Sequence, residues 1–251
     1  MTNFINKDNN LKDRRILITG ASRGFGSVVY EWLINKNVNV LAFGRGKPDF
    51  SIIDKESYQE LDLSKEENVS ELIKKAIIFN PDTIIHCLGG GFKKSNDLIT
   101  KSDLYYLLNM NFLISVELNN SVLPNMIENK KGWIIHLSSI ATKELTASVG
   151  YTCVKSIIKP YIKHMGRKYV NKNIYISGIM LGAITGNNGA IDRLRTSNNV
   201  IHQKFINERR PTLRSTPIIE ILPYLDLLLS VSAKIHASNI ITLDEAESIS
   251  I

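Results

Sequence analysis

The chain has 251 residues, 43% hydrophobic and 22% charged, a balance that fits a folded globular protein and excludes a disordered one. Its formal charge of +7 is spread over short pairs such as Lys74-Lys75, Lys93-Lys94 and Lys130-Lys131, so no long basic tract argues for nucleic acid. No apolar run approaches the ~20 residues that span a bilayer, Met1 to Lys12 lacks the apolar centre of a signal peptide, and the only cysteines are Cys87 and Cys153.

From these features we expect a cytoplasmic protein with neither a disulfide framework, a membrane partner nor a nucleic-acid partner. Residues 1–13 read as a short flexible arm, and residues 14–251 as one domain without repeats or linkers.

Beyond the arm, apolar runs of strand length alternate with helix-period segments, the pattern of a parallel sheet covered on both faces. Ile16 to Thr19 is the first predicted strand, followed by a glycine turn and a helix to about Lys36. Val38 to Phe43 and Tyr58 to Leu63 are the second and third strands. Ser64 and Glu67 have the spacing of a capping box that opens a helix to about Phe79. Pro81-Asp82 introduces a strand at Thr83 to Leu88, and helical segments cover about Lys101 to Asn129. A fifth strand at Trp133 to Leu137 precedes a helix that begins near Tyr151 and runs to about Val170. Ile174 to Met180 is the sixth strand. The polar stretch from Gly182 to about Thr216 has no sheet character and reads as a long loop, ahead of a helix at Ile218 to Val231 and a last strand at Ile240 to Leu243. The expected fold class is α/β, a doubly wound parallel sheet of about seven strands with helices on both faces.

Three motifs carry chemistry. Thr19-Gly20-Ala21-Ser22-Arg23-Gly24-Phe25-Gly26 lies between a strand and a helix. Glycines there let the backbone turn sharply and approach a diphosphate, which also gains from the helix N-terminus. Tyr151 and Lys155 stand four residues apart, so on a helix they share one face. A fixed ammonium favours the phenolate, and a tyrosine tuned in this way can exchange a proton with a substrate oxygen. Finally, no carboxylate follows the second strand. Ala42-Phe43-Gly44-Arg45 stands there instead, and Arg23 lies in the glycine turn. Two guanidiniums suit a ribose 2′-phosphate, which predicts NADP(H) over NAD(H).

The glycine turn and the Tyr-x-x-x-Lys pair together resemble the short-chain dehydrogenase/reductase family, in its single-domain type, over about Arg14 to Asp244. Further motifs match in order: Asp62 beyond the third strand, Gly89 of His86-Cys87-Leu88-Gly89 in the place of Asn-Asn-Ala-Gly, Asn111 thirteen residues before Pro124, the strand Gly132 to Ser139, and Leu181-Gly182-Ala183-Ile184-Thr185 for Pro-Gly-x-x-Thr. The resemblance implies an oxidoreductase acting on CH–OH groups, with Tyr151 as acid/base, Lys155 as its electrostatic partner, a serine polarising the substrate oxygen and Asn111 holding a water. Ser139 fits the local pattern and Ser138 the commoner spacing; Ser139 is preferred. It further implies cofactor contacts by Gly20, Ser22, Arg23, Gly24, Phe25, Gly26, Arg45, Asp62, Leu63, Leu88, Gly89, Gly90, Tyr151, Lys155, Gly182, Ile184 and Thr185, and a homodimer or homotetramer.

Candidate substrates are a sugar or nucleotide-sugar ketone and a 3-oxoacyl thioester. An NADP(H)-binding sensor or scaffold without catalysis is the alternative. His86 and His136 stand where asparagine is usual, and we expect a hydrogen-bonded buried pair with no metal. Cys153 is expected to face away from the Tyr151 side. Leu243-Asp244-Glu245-Ala246 replaces the family's Asp-Gly-Gly. Arg193, Arg195, Arg209, Arg210 and Arg214 follow Thr185, in the segment that forms a lid in the resembling family. They read equally as an attraction for an anionic substrate or as a solvated surface.

Overall fold

Ile16, Leu17 and Ile18 are consecutive and all fully buried, which a strand achieves only when both faces of its sheet are covered. The computed structural model, which describes residues 11–36, 38–48, 56–230 and 232–250, places them in the interior of a seven-stranded parallel sheet. In chain order the elements begin with β1 (Arg15–Thr19), α1 (Gly24–Asn35), β2 (Asn39–Gly44), β3 (Tyr58–Glu60), α2 (Glu66–Phe79) and β4 (Thr83–His86). There follow α3 (Lys101–Leu108), α4 (Ile114–Glu128), β5 (Gly132–Ser139), α5 (Ala141–Glu144), α6 (Val149–Ser156), α7 (Ile158–Tyr169) and β6 (Ile174–Leu181). The chain continues through β7 (Ile184–Thr185), α8 (Ala190–Ser197), α9 (Asn199–Arg209), β8 (Thr216–Pro217), α10 (Leu222–Leu228), α11 (Ala233–His236) and β9 (Ile240–Leu243).

The sheet runs β3-β2-β1-β4-β5-β6-β9, and β7 with β8 forms a separate two-stranded ladder. From β1 the chain moves first to β2 on one side and later to β4 on the other. This reversal opens a crevice at the carboxyl ends of β1 and β4, where ligands bind in sheets of this kind. Strand alternation sends Ile16, Ile18 and Ile85 into a core with Val29, Leu33, Leu225 and Leu228. Leu17, Ile84 and Ile134 face the opposite core, with Leu72, Ala76, Leu118 and Val122. The doubly wound class expected from the sequence is present.

Four local expectations are corrected. Ser64 caps nothing: its hydroxyl donates to Asp62 Oδ1 (2.9 Å), and α2 opens one residue beyond Lys65 without a side-chain cap. The short polar side chain prefers a turn partner two residues back over the helix N-terminus. The helix expected to run from Tyr151 to Val170 breaks at Ile157. Pro160 explains the break, because it has no N–H for the carbonyl four residues earlier. The stretch from Gly182 to Thr216 is no loop but α8 and α9 flanked by the β7–β8 ladder. Beyond it, the expected helix from Ile218 is a 3-10 turn at Ile218–Ile221 followed by α10, and its expected last residue, Val231, lies outside the described residues. The flexible arm also lies outside them, except that Leu11–Asp13 is a 3-10 turn with Leu11 buried. No helix among the described residues is long and apolar enough to cross a membrane.

Candidate active site

The crevice depends on two glycines. A Cβ on Gly20, whose φ is +73°, would lie 2.6 Å from Leu88 N, and one on Gly26 would lie 2.3 Å from Gly20 O. Neither position has room for a side chain, so the turn hugs β4 and leaves its backbone open above. The resulting cleft, about 430 Å³, is lined by Gly20, Ser22, Arg23, Arg45, Asp62, Leu63, Leu88 and Gly89. A second cleft of about 680 Å³ shares Arg23, Arg45 and Gly89 with it and adds Gly24, Phe25, Gly26 and Gly90. Glycine backbone, the first turn of α1 and cationic walls suit the diphosphate of a dinucleotide. One donor is already engaged: Gly24 N–H donates to Asn187 O at 2.7 Å, so the segment before α8 lies against this turn.

The cations are more numerous than the sequence motif suggested. Lys47 lines the first cleft, and Lys93 and Arg193 line the second. Burial lowers the Arg23 pKa, and the charges of Arg193 and Arg45 lower it further, as expected where guanidiniums converge. Arg193 comes from α8, and its Nη1 donates to Asn188 O at 2.6 Å. No spacing in the sequence links it to the glycine turn; only the fold brings the two together.

Tyr151 and Lys155 stand on α6; neither lines the two clefts, but Lys155 reaches the Gly89 wall that the clefts share. Lys155 is 5% exposed, and its Nζ donates to Leu137 O at 3.0 Å and lies 5.9 Å from the Tyr151 ring centroid. Burial lowers the lysine pKa to about 8. A Cβ on Gly89 would lie 3.1 Å from that Nζ and 2.6 Å from Asn111 Oδ1, so glycine at this position lets the cleft reach the lysine. Asn111 sits in a π-helical turn, Asn109–Leu113, between α3 and α4, a distortion frequent at functional sites. Its amide clamps Gly90: Gly90 N–H donates to Oδ1 (2.9 Å) and Nδ2 donates to Gly90 O (3.0 Å).

The pleat separates the two candidate serines. Side chains at successive strand positions point to opposite faces. Ser139 acts on the Tyr151 phenol, favouring its ionised form, whereas Ser138 is buried with no partner for its hydroxyl among the described residues. The Tyr151 phenol departs from expectation. Burial raises its pKa, and Ser139 offsets only part of that rise. Desolvation is the larger cause, and the neighbouring hydroxyl does not reverse it.

Gly182, Ile184 and Thr185 do not line either cleft. The Thr185 hydroxyl donates to the Asp192 carboxylate, which also accepts from Gly186 N–H and Gly189 N–H at the start of α8. Gly182 is packed against Asp244 and Glu247. Cys153 is exposed and Cys87 half-buried, both free.

The two histidines are a buried, hydrogen-bonded pair. Their rings stack at 4.4 Å between centroids. Asn119 of α4 joins them, with Oδ1 accepting from His86 Nε2 (2.8 Å) and Nδ2 donating to His136 Nε2 (3.4 Å) and to the Tyr161 hydroxyl (3.1 Å). Burial pushes the His86 pKa down to about 4, and that of His136 is also well below its ordinary value.

Known proteins agree with this architecture. A solved short-chain dehydrogenase from Leptospira borgpetersenii with bound NAD+ superimposes with a TM-score of 0.82 at 18% identity over 99% of both chains. A 3-oxoacyl (acyl-carrier-protein) reductase from Agrobacterium tumefaciens with NADP bound gives 0.80 at 21% identity, covering 94% of this chain and 95% of that one. By sequence, an uncharacterised oxidoreductase of Staphylococcus saprophyticus is 25% identical over 69% of this chain and 80% of its own length. The family model described as short chain dehydrogenase matches residues 14–193. The chain belongs to the short-chain dehydrogenase family.

Proposed function

We propose that the protein is a cytoplasmic NADPH-dependent oxidoreductase, a single domain over residues 14–251 that interconverts a carbonyl and a secondary alcohol. The observation that carries this reading is Lys155, with Tyr151 beside it and Ser139 acting on the phenol, at the Gly89 wall of a cleft with cationic sides. A bound nicotinamide cofactor supplies or accepts the hydride. Gly20, Ser22, Gly24, Phe25, Gly26, Asp62, Leu63, Leu88, Gly89 and Gly90 would hold that cofactor, with Gly182, Ile184 and Thr185 at its far end. Tyr151 gives its phenolic proton to the substrate oxygen in reduction and recovers it in oxidation. Ser139 donates a hydrogen bond to the same oxygen, and Lys155 stabilises the phenolate left behind. Asn111 fixes the Gly89-Gly90 wall that borders the lysine. The substrate candidates remain a sugar or nucleotide-sugar ketone and a 3-oxoacyl thioester, with the protein acting as a homodimer or homotetramer.

The test is a screen of such carbonyl compounds that follows loss of NADPH absorbance. Binding of NADPH without turnover across the whole panel would favour a sensor or scaffold instead.

Cofactor choice and the serine each have a separate test. Charge-assisted hydrogen bonds contribute about 1.5–3 kcal/mol, so Arg45→Ala and Arg23→Ala should each weaken NADPH binding about tenfold or more. NADH binding should change little in Arg45→Ala. Equal catalytic efficiency of the wild type with both cofactors would refute the preference. Removing one donor to a developing oxyanion costs about 10²–10³ in turnover, and that loss is expected for Ser139→Ala. Ser138→Ala should stay near wild type; full activity in Ser139→Ala would sink the assignment.

A further inference from the structure

Next to Lys155 lies a small cavity of about 10 Å³, lined by Thr19, His86, Asn111, Ser115, His136 and Lys155 among others. That volume is close to the smallest that holds one water molecule. His86 is 5% exposed. Its Nε2 hydrogen is committed to Asn119 Oδ1, because a carboxamide oxygen only accepts. The tautomer is thereby fixed, and Nδ1 is left as an acceptor. This nitrogen is buried and has no partner among the described residues, which ordinarily costs about 1–3 kcal/mol. Lys155 is in the complementary condition: a buried ammonium whose Nζ donates to Leu137 O, with two further N–H groups to place.

We infer that His86 is a positioning residue for Lys155: its Nδ1 accepts a hydrogen bond from a water in this cavity, and that water accepts from the lysine ammonium. The histidine thus supplies the second partner that turns the water's lone pair toward Nζ, and it thereby favours the charged lysine. The groups facing His86 agree with this. His136 of β5 stacks on it, Asn119 of α4 fixes its tautomer and carries the link to Tyr161 of α7, and Lys155 of α6 repels an imidazolium. Among the described residues no carboxylate lines the cavity. With its pKa near 4, His86 stays an acceptor through the neutral range.

The inference rests on the proposed role of Lys155, but its test needs neither substrate nor turnover, so it fails or stands apart from the reductase reading. Asparagine reproduces the Nδ1 position of histidine, and glutamine reproduces Nε2. Lysine ¹⁵Nζ NMR of the substrate-free protein reads the titration of Lys155 in each variant. In His86→Gln, Lys155 should titrate about one pH unit lower than in the wild type, because the cavity acceptor is lost. In His86→Asn the titration should stay in place, although the lost bond to Asn119 lowers Tm. A high-resolution crystal structure of the wild type should show a water within about 3.2 Å of both His86 Nδ1 and Lys155 Nζ. The reverse order of the two variants, no change or an equal change in both, or a dry cavity would each overturn the inference.

Discussion

Tyr151→Phe is expected to lower turnover by about 10²–10⁴-fold, the range assigned to a positioned acid/base group. NADPH binding should persist, because phenylalanine keeps the ring and loses only the hydroxyl. The loss should appear in kcat rather than KM, since proton donation is made only in the transition state. The pH profile of the wild type adds a sign. Burial keeps the free phenol protonated through neutral pH, the form that an acid for carbonyl reduction needs. Lys155 carries its charge below about pH 8 and loses it above. Reduction should therefore decline as pH rises past about 8, because the phenolate formed in the step loses its cation. In Lys155→Met that decline should vanish along with most of the rate. Turnover of Tyr151→Phe within tenfold of the wild type would remove Tyr151 from the chemistry.

Strands and chemistry were legible in this sequence to different degrees, for physical reasons. Ile16 to Thr19 and Ile84-Ile85 announce themselves because a strand buried on both faces needs an unbroken apolar run. The glycine turn was legible because Gly20 and Gly26 leave no room for a Cβ. Spacing alone left Ser138 and Ser139 both open; the pleat of β5 turns them to opposite faces, and the paired alanine variants decide which one takes part. The helices after Thr185 escaped detection because α8 is short and buries no residue and α9 buries only His202 and Ile206, so neither carries the long apolar stripe that marks a core-facing helix. Arg193 was visible as a charge but not as a wall of the cleft, since its placement follows from the Asp192 cap of α8. The pKa of Tyr151 was misjudged because spacing reports the neighbouring charge and not the depth of burial.

The arginines after Thr185 also divide in a way the sequence did not show, and Arg210 carries the second large prediction. Its side chain is fully buried, and all five of its N–H groups have an acceptor: Arg214 O, Asp244 O, Glu247 Oε2, Thr216 Oγ1 and Glu245 Oε2, at 2.7–2.9 Å. Glu247 Oε2 also accepts from Ala183 N–H at 2.7 Å, so one guanidinium ties α9, the β7–β8 ladder and the turn after β9 together. That turn explains the departure from Asp-Gly-Gly. Glu245 and Ala246 have φ of 49° and 60°, the left-handed region that glycine enters freely and other residues enter at a cost. The bend is made here without glycine, and the Glu245 carboxylate meets Arg210. Arg210→Met leaves the buried Glu247 carboxylate without its cation, a change that costs about 3–5 kcal/mol. For a chain of this size that corresponds to a fall in Tm of roughly 6–20 °C. The double variant Arg210→Met with Glu247→Gln should recover part of the loss, because no unpaired buried charge remains. A fall of less than about 1 kcal/mol in Arg210→Met, the range of an exposed pair, would show that the network holds nothing the surrounding packing does not hold already.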